Sequence, residues 1–283
     1  MRKLLFLILL LALPFIANAE KVQIAGIWYE LYPASEEASV CAPDGTSKYS
    51  GDIIIPDSIE HENVYYRVKS VEANAFRMHY SLKSIELPNS VTTIGNEAFF
   101  GCYNLAQIKI GNSVNKIGSK AFESTAWMRN LPDGIVYLDY ILLGYKGEKL
   151  SGKIEIKEGT RILQPNVFQD CIGITDVIIP NTVMTVGESA FEGCSNLANV
   201  VLSNLLTRIE ARMFFGCSNL NNVVIPNAIT SIGEYAFSNC ANLTNIVIPN
   251  SVTSIEKSVF FWLYESNKCY SFEFADKDRG RHF

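Results

Sequence analysis

Five of the seven cysteines in this chain of 283 residues keep step with one another: Cys102, Cys171, Cys194, Cys217 and Cys240 are spaced by 23 residues or a multiple of 23. Cysteines placed so regularly could pair as disulfides, hold a metal or present a thiolate nucleophile. Metal binding lacks support, because His61, His79 and His282 have no companion at ligand spacing and no C-x-x-C pair occurs. Nucleophilic chemistry lacks its partners. There is no G-x-S-x-G, P-loop or dinucleotide fingerprint, and the carboxylates are scattered without a pair across a cleft. Disulfides are conceivable, since equivalent Cα atoms in stacked coils lie about 4.8 Å apart. Parallel side chains, however, keep their Cβ atoms near that same spacing, beyond the ~3.8 Å a disulfide prefers. His79, Thr125 and Leu263 fill the same slot elsewhere, so pairing is not required. The column reads as buried free thiols acting as small hydrophobes, with Cys41 and Cys269 outside it. Catalytic residues, cofactors and metals are all expected to be none.

The elements that position these cysteines form an aromatic lattice three residues upstream. Phe76, Phe99, Phe122, Tyr145, Phe168, Phe191, Phe214, Phe237 and Phe260 follow one another every 23 residues. A unit of that length cannot bury its own apolar face, so units must stack. Each opens as L-x-x-I-x-I, for example Leu82, Ile85 and Leu87, or Leu243, Ile246 and Ile248. Pro88, Pro180, Pro226 and Pro249 end the strand, because proline cannot donate to a ladder. A second short run points Val91 and Ile94, or Ile229 and Ile232, inward, and Ala-Phe closes the unit. Gly95, Gly118, Gly187 and Gly233 share their phase with Glu72, Gln164, Glu210 and Glu256, so that position is expected not to demand a positive φ. The fold class predicted is a β-rich repeat solenoid of 23-residue coils with a parallel sheet.

The flanks depart from the repeat. Residues 1–19 carry Arg2 and Lys3, an apolar run from Leu4 to Leu13 and the ending Ala17-Asn18-Ala19, the pattern of a secretory signal peptide cut after Ala19. The run is too short for the ~20 apolar residues of a spanning helix. Residues 20–59 are predicted to be an N-terminal β cap, with Trp28 and Tyr29 as lids over the first coil. The solenoid then occupies 60–263, with an irregular island at about 125–152, and 264–283 form a tail. Two β-prone runs around Asp139 predict a hairpin or extended loop in the island; it either repairs the core or carries function. With 48% hydrophobic residues and a net charge of −5, the chain is neither disordered nor suited to nucleic acid.

The segments LKSIELPNSVTTIGNEAFFGC and LTNIVIPNSVTSIEKSVF resemble the BspA-like leucine-rich repeats of bacterial surface proteins, over about Asp52 to Phe260. The stretch DGIVYLDYILLGYKG resembles an interruption common in that family. The chain departs from the generic L-x-x-L-x-L-x-x-N pattern, since the ninth position is Ser90, Ser113 or Ser251 with Asn one place earlier. The usual asparagine ladder is therefore in doubt at that position. The resemblance implies a right-handed leucine-rich repeat solenoid with a parallel sheet on one face. It also implies an exported protein that binds other macromolecules, in several members as an adhesin.

Strand alternation leaves two outward sites in each coil. One column is Ser84, Gln107, Asp176, Asn199, Asn222 and Asn245; the other is Glu86, Lys109, Ile178, Val201, Val224 and Val247. The aliphatic stretch of the second column either favours strand formation or marks a protein-binding face rimmed with amides. The partner expected is an unidentified protein, on a host or neighbouring cell. The alternative is a structural or periplasmic scaffold with no external partner. A carbohydrate-binding reading ranks below both, because the outward strand sites hold no aromatic residue.

Overall fold

The structure is a computed structural model that describes residues 19–261 and the backbone of the strand Ser271–Phe274. The expected leader run, Cys269, the rest of the 264–283 tail and the side chain of Asn245 lie outside the described residues. The chain forms two compact units that divide between Asn130 and Leu131.

The first unit opens with an antiparallel meander of Glu20–Ile24, Ile27–Tyr32 and Glu37–Val40. Its last strand pairs in parallel with Val64–Val71, so the meander extends a sheet that continues through Thr93–Ile94 and Lys116–Ile117. On another face, Gly51–Ile54, Leu82–Glu86 and Gln107–Lys109 pair in parallel. Of the two aromatic residues expected as lids, Tyr29 is buried in the core, while Trp28 is half-buried beneath the ammonium group of Lys21.

The second unit opens with the hairpin expected around Asp139: Gly134–Leu138 pairs antiparallel with Ile141–Lys146, and Asp139 turns with φ 51°. Ile141–Lys146 then leads a parallel sheet through Ile162–Leu163 and Thr185–Val186. Ser151–Glu155, Gly173–Ile178, Asn199–Val201 and Asn222–Val223 make a second parallel sheet. In the tail, Ser271–Phe274 pairs in parallel with Asn245–Ile248.

The aromatic lattice is the core of both units. Phe76, Phe99 and Phe122 stack with ring centroids 4.9 and 5.3 Å apart in the first. Phe168, Phe191, Phe214, Phe237 and Phe260 stack at 5.5 to 6.0 Å in the second. Tyr145 packs against the edge of that core and is only partly buried. Truncating a fully buried ring of this kind costs about 3–5 kcal/mol. The thiols behind the rings have a defined role. Cys102 donates to the carbonyl of Phe76 at 2.9 Å, and Cys194, Cys217 and Cys240 donate to Phe168, Phe191 and Phe214 at 3.1 Å. The slot thus satisfies a backbone carbonyl of the preceding coil, and Thr125 does the same within its own coil, to Phe122 at 2.8 Å.

Two left-handed residues flank each lattice phenylalanine from Phe76 to Phe237, and one precedes Phe260. Two places before the phenylalanine stand Asn74, Glu97, Lys120, Asn166, Ser189, Arg212, Tyr235 and Ser258, with φ between 53° and 61°. Two places after it stand Met78, Gly101, Ser124, Asp170, Gly193, Gly216 and Asn239. Alternation of right- and left-handed residues turns every second N–H toward the next coil. Glu97, Phe99 and Gly101 accordingly donate to Ser119, Ala121 and Glu123 at 2.9, 2.8 and 3.0 Å. The turn becomes a ladder, and its backbone is satisfied without a strand.

The glycines sharing a phase with glutamate do have ordinary φ values, yet they are needed for another reason. A Cβ on Gly233 would lie 2.5 Å from the backbone nitrogen of Ala211, and one on Gly95 2.4 Å from that of Ala73. Close approach between coils selects glycine there. The asparagines displaced from the generic repeat position also form rungs: Asn89 accepts from the backbone of Asn112, and Asn181 from that of Asn204, both at 2.9 Å.

Candidate functional site

The parallel sheets place the outward residues side by side, in one group per unit. In the first unit Ser84 lies opposite Gln107, and Glu86 opposite Lys109, with which it forms an ion pair. The row begins with Asp52, opposite Ser84, whose hydroxyl donates to the Asp52 carboxylate at 2.7 Å. The outward column also includes Ile54, opposite Glu86 and 72% exposed, a position that the repeat pattern assigns to the cap. This face is mainly polar.

The second unit presents different chemistry. Asp176, Asn199 and Asn222 are successive register partners, and so are Ile178 and Val201. Val201, Val224 and Val247 are 56, 73 and 55% exposed, whereas Ile178 is half-buried. The aliphatic column therefore stands out from the sheet while the inner residues Val177, Val200 and Val223 fill the core. Beside it the amide of Asn199 donates to Asp176 at 2.7 Å. That bond, with a second from the Thr175 hydroxyl, holds the Asp176 carboxyl below its ordinary pKa and keeps it ionised.

A shallow groove of about 460 Å³ runs along this stripe. Ile178, Val201 and Val224 line it together with Asn199 and Asn222. Glu158, Pro180, Asn181, Asn204 and Pro226 complete it from the loops that follow the strands. The strand pattern alone missed these loop residues, although the prolines recur in phase with the valines and could have been included on that ground. Among the described residues no group of three or more His, Cys, Asp and Glu is placed to hold a metal ion. No described helix is long and apolar enough to cross a membrane.

Stacked coils of about 23 residues, parallel sheets and an aromatic ladder define a leucine-rich repeat β-solenoid. The chain belongs to the BspA-type leucine-rich repeat family, whose model matches it in six copies over residues 57–135 and 145–267. The unmatched residues 136–144 fall within the hairpin of the second unit. Among solved structures, the chain is similar to a leucine-rich cell surface protein of Faecalibacterium prausnitzii, with 19% identity and a TM-score of 0.51 over 91% of this chain and 95% of that one. It is also similar to a leucine-rich repeat protein of T. pallidum, at 26% identity, TM-score 0.39 and coverage of 79% and 91%. The pneumococcal vaccine antigen PcpA matches at 14% identity and TM-score 0.44, covering 92% and 89%. No curated protein matches the chain.

Proposed function

We propose that this protein is a non-enzymatic binding module that takes a protein partner on the outward sheet face of its second unit. The observation that carries the reading is the exposed column Val201, Val224 and Val247, rimmed by Asn199 and Asn222. An isolated exposed valine is ordinary, but an aligned aliphatic stripe beside a groove is the pattern of a recognition surface. The amides and the ionised Asp176 supply directional contacts at the rim, as interfaces require. Family membership supports the reading, since leucine-rich repeats present their sheets to other proteins. The N-terminal pattern of Arg2, Lys3, an apolar run and Ala17-Asn18-Ala19 supports export of the module. Its task at the cell surface is then adhesion to a host or neighbouring-cell protein.

The test is capture of partners from host matrix and neighbouring cells by the wild type and by Val201→Lys with Val224→Lys. Both substitutions sit on the outer side of the sheet, so the fold survives them. The proposal expects the captured proteins to be lost at least tenfold in the double variant. Capture that is undiminished, or absent for both proteins, returns the stripe to strand propensity and the chain to a scaffold.

A further inference from the structure

A second surface, on the first unit, has chemistry that the valine stripe lacks. Tyr80 and Tyr103 are 23 residues apart, in the phase four places after the lattice phenylalanine. Each is 49% exposed, and their rings stack with centroids 5.3 Å apart and planes 8° from parallel. The pair is anchored from the side. The guanidinium of Arg129 lies 5.6 Å from the centroid of the Tyr103 ring and donates to the Tyr103 carbonyl at 2.7 Å. The Asn104 amide donates to the Tyr80 carbonyl at 2.8 Å. Neither phenol hydroxyl has a hydrogen-bond partner among the described residues, so both are available to a ligand.

Asn104 joins this aromatic wall to a shallow groove of about 470 Å³. The groove is lined by Asp52, Lys83, Ser84, Asn104 and Gln107, with Ala106 between them. Its functional groups are one carboxylate, one ammonium, two primary amides and a hydroxyl. The two charges balance, which disfavours a polyanion, and Ala106 is the one apolar side chain in the lining, which leaves no pocket for a large aliphatic side chain. Ser84 fixes one oxygen of Asp52 and leaves the other free. The side chains of Lys83 and Gln107 have no partner among the described residues. Mixed donors and acceptors of this kind match sugar hydroxyls, which both give and receive hydrogen bonds. The exposed edges and hydroxyls of the phenol rings at the rim offer apolar contact and hydrogen bonds to a pyranose ring, and a tyrosine pair held in place loses little side-chain entropy on binding.

We infer that the first unit binds a neutral oligosaccharide, laid across the groove of Asp52, Lys83 and Gln107 and against the Tyr80–Tyr103 pair. The open groove suits a chain passing over the surface more than an enclosed small molecule. The carbohydrate reading ranked low on the sequence because the outward strand positions carry no aromatics; the structure places two at the corner where the strands begin.

Affinity electrophoresis of the full chain through gels containing starch, mannan, xylan or β-glucan tests this, with alginate as the anionic control. Retardation by at least one neutral polysaccharide is expected. Tyr80→Ala with Tyr103→Ala should weaken it at least tenfold, and Gln107→Ala several-fold. Val201→Lys with Val224→Lys should leave it unchanged, which separates this site from the protein-binding face. Gln107 is exposed on a strand and decides the matter if the tyrosine variant fails to fold. No retardation by any neutral polysaccharide, retardation by alginate alone, or retardation that survives both variants overturns the inference.

Discussion

Lys120 is exposed, yet it holds φ at 57°, a conformation that an L side chain adopts at a cost of about 1–2 kcal/mol. The same strain recurs at Glu97, Arg212 and Tyr235, and at these three it persists because the residue donates its N–H to the following coil. Glycine already occupies the second left-handed slot at Gly101, Gly193 and Gly216. Lys120→Gly is therefore expected to stabilise the protein by about 0.5–1 kcal/mol in urea melts, since the relief of strain exceeds the extra entropy of glycine in the unfolded chain. A loss of stability would show that the lysine side chain contributes more than its backbone costs. This device could not be read from the sequence. Asn, Glu, Lys, Ser, Arg and Tyr all occupy the slot, because the conformation is imposed by the coil-to-coil ladder and not by residue type.

The coil is the element at which sequence and structure agree best. Period, ring lattice, inward Leu and Ile positions and proline stops were all legible, because each records burial or the loss of a donor. The outward face was legible as two columns, since strand alternation has a period of two. What lay hidden depends on contacts between coils. Gly95, Gly118, Gly187 and Gly233 look dispensable when only φ is considered, but each backs onto the backbone of the coil before it. Gly233→Ala should accordingly destabilise the second unit by about 1–3 kcal/mol, because Ala211 N cannot move aside as a side chain would. Chemical denaturation with a near-wild-type midpoint would mean that the coils separate without cost. The loop residues beside the valine stripe and the tyrosine pair escaped for a related reason. They meet the strands only through the turn that brings each coil round.

For the whole molecule, titration should limit stability on both sides of neutrality. His79 is buried and accepts a hydrogen bond at Nδ1 from the backbone N–H of Tyr49 at 2.7 Å, which requires the neutral ring. Burial, aided by the charge of Lys48, lowers its pKa from 6.5 to about 4. Between those values the unfolded chain binds a proton that the folded chain refuses, so stability falls as pH drops from 6.5 to about 4, by at most about 3 kcal/mol. At the other end, burial pushes the thiols of Cys41 and Cys102 up to about 11 and that of Cys194 to about 12. Above the free-thiol value the unfolded chain loses protons that the folded one retains, and stability declines again. Thermal melts across pH should show this dome, with the acid limb flattened in His79→Gln; a limb unchanged in that variant would assign acid sensitivity to other groups. Function is a separate matter, because the aromatic lattice and the thiols are committed to the core and recognition is left to the outer faces. The most direct test is a photo-crosslinking residue placed at Val224 and, as a control, at the exposed Lys257, with the protein presented to host matrix and neighbouring cells. The protein-binding account predicts a discrete crosslinked partner from position 224 and none from 257. Equal crosslinking from both positions, or none from 224, would contradict it.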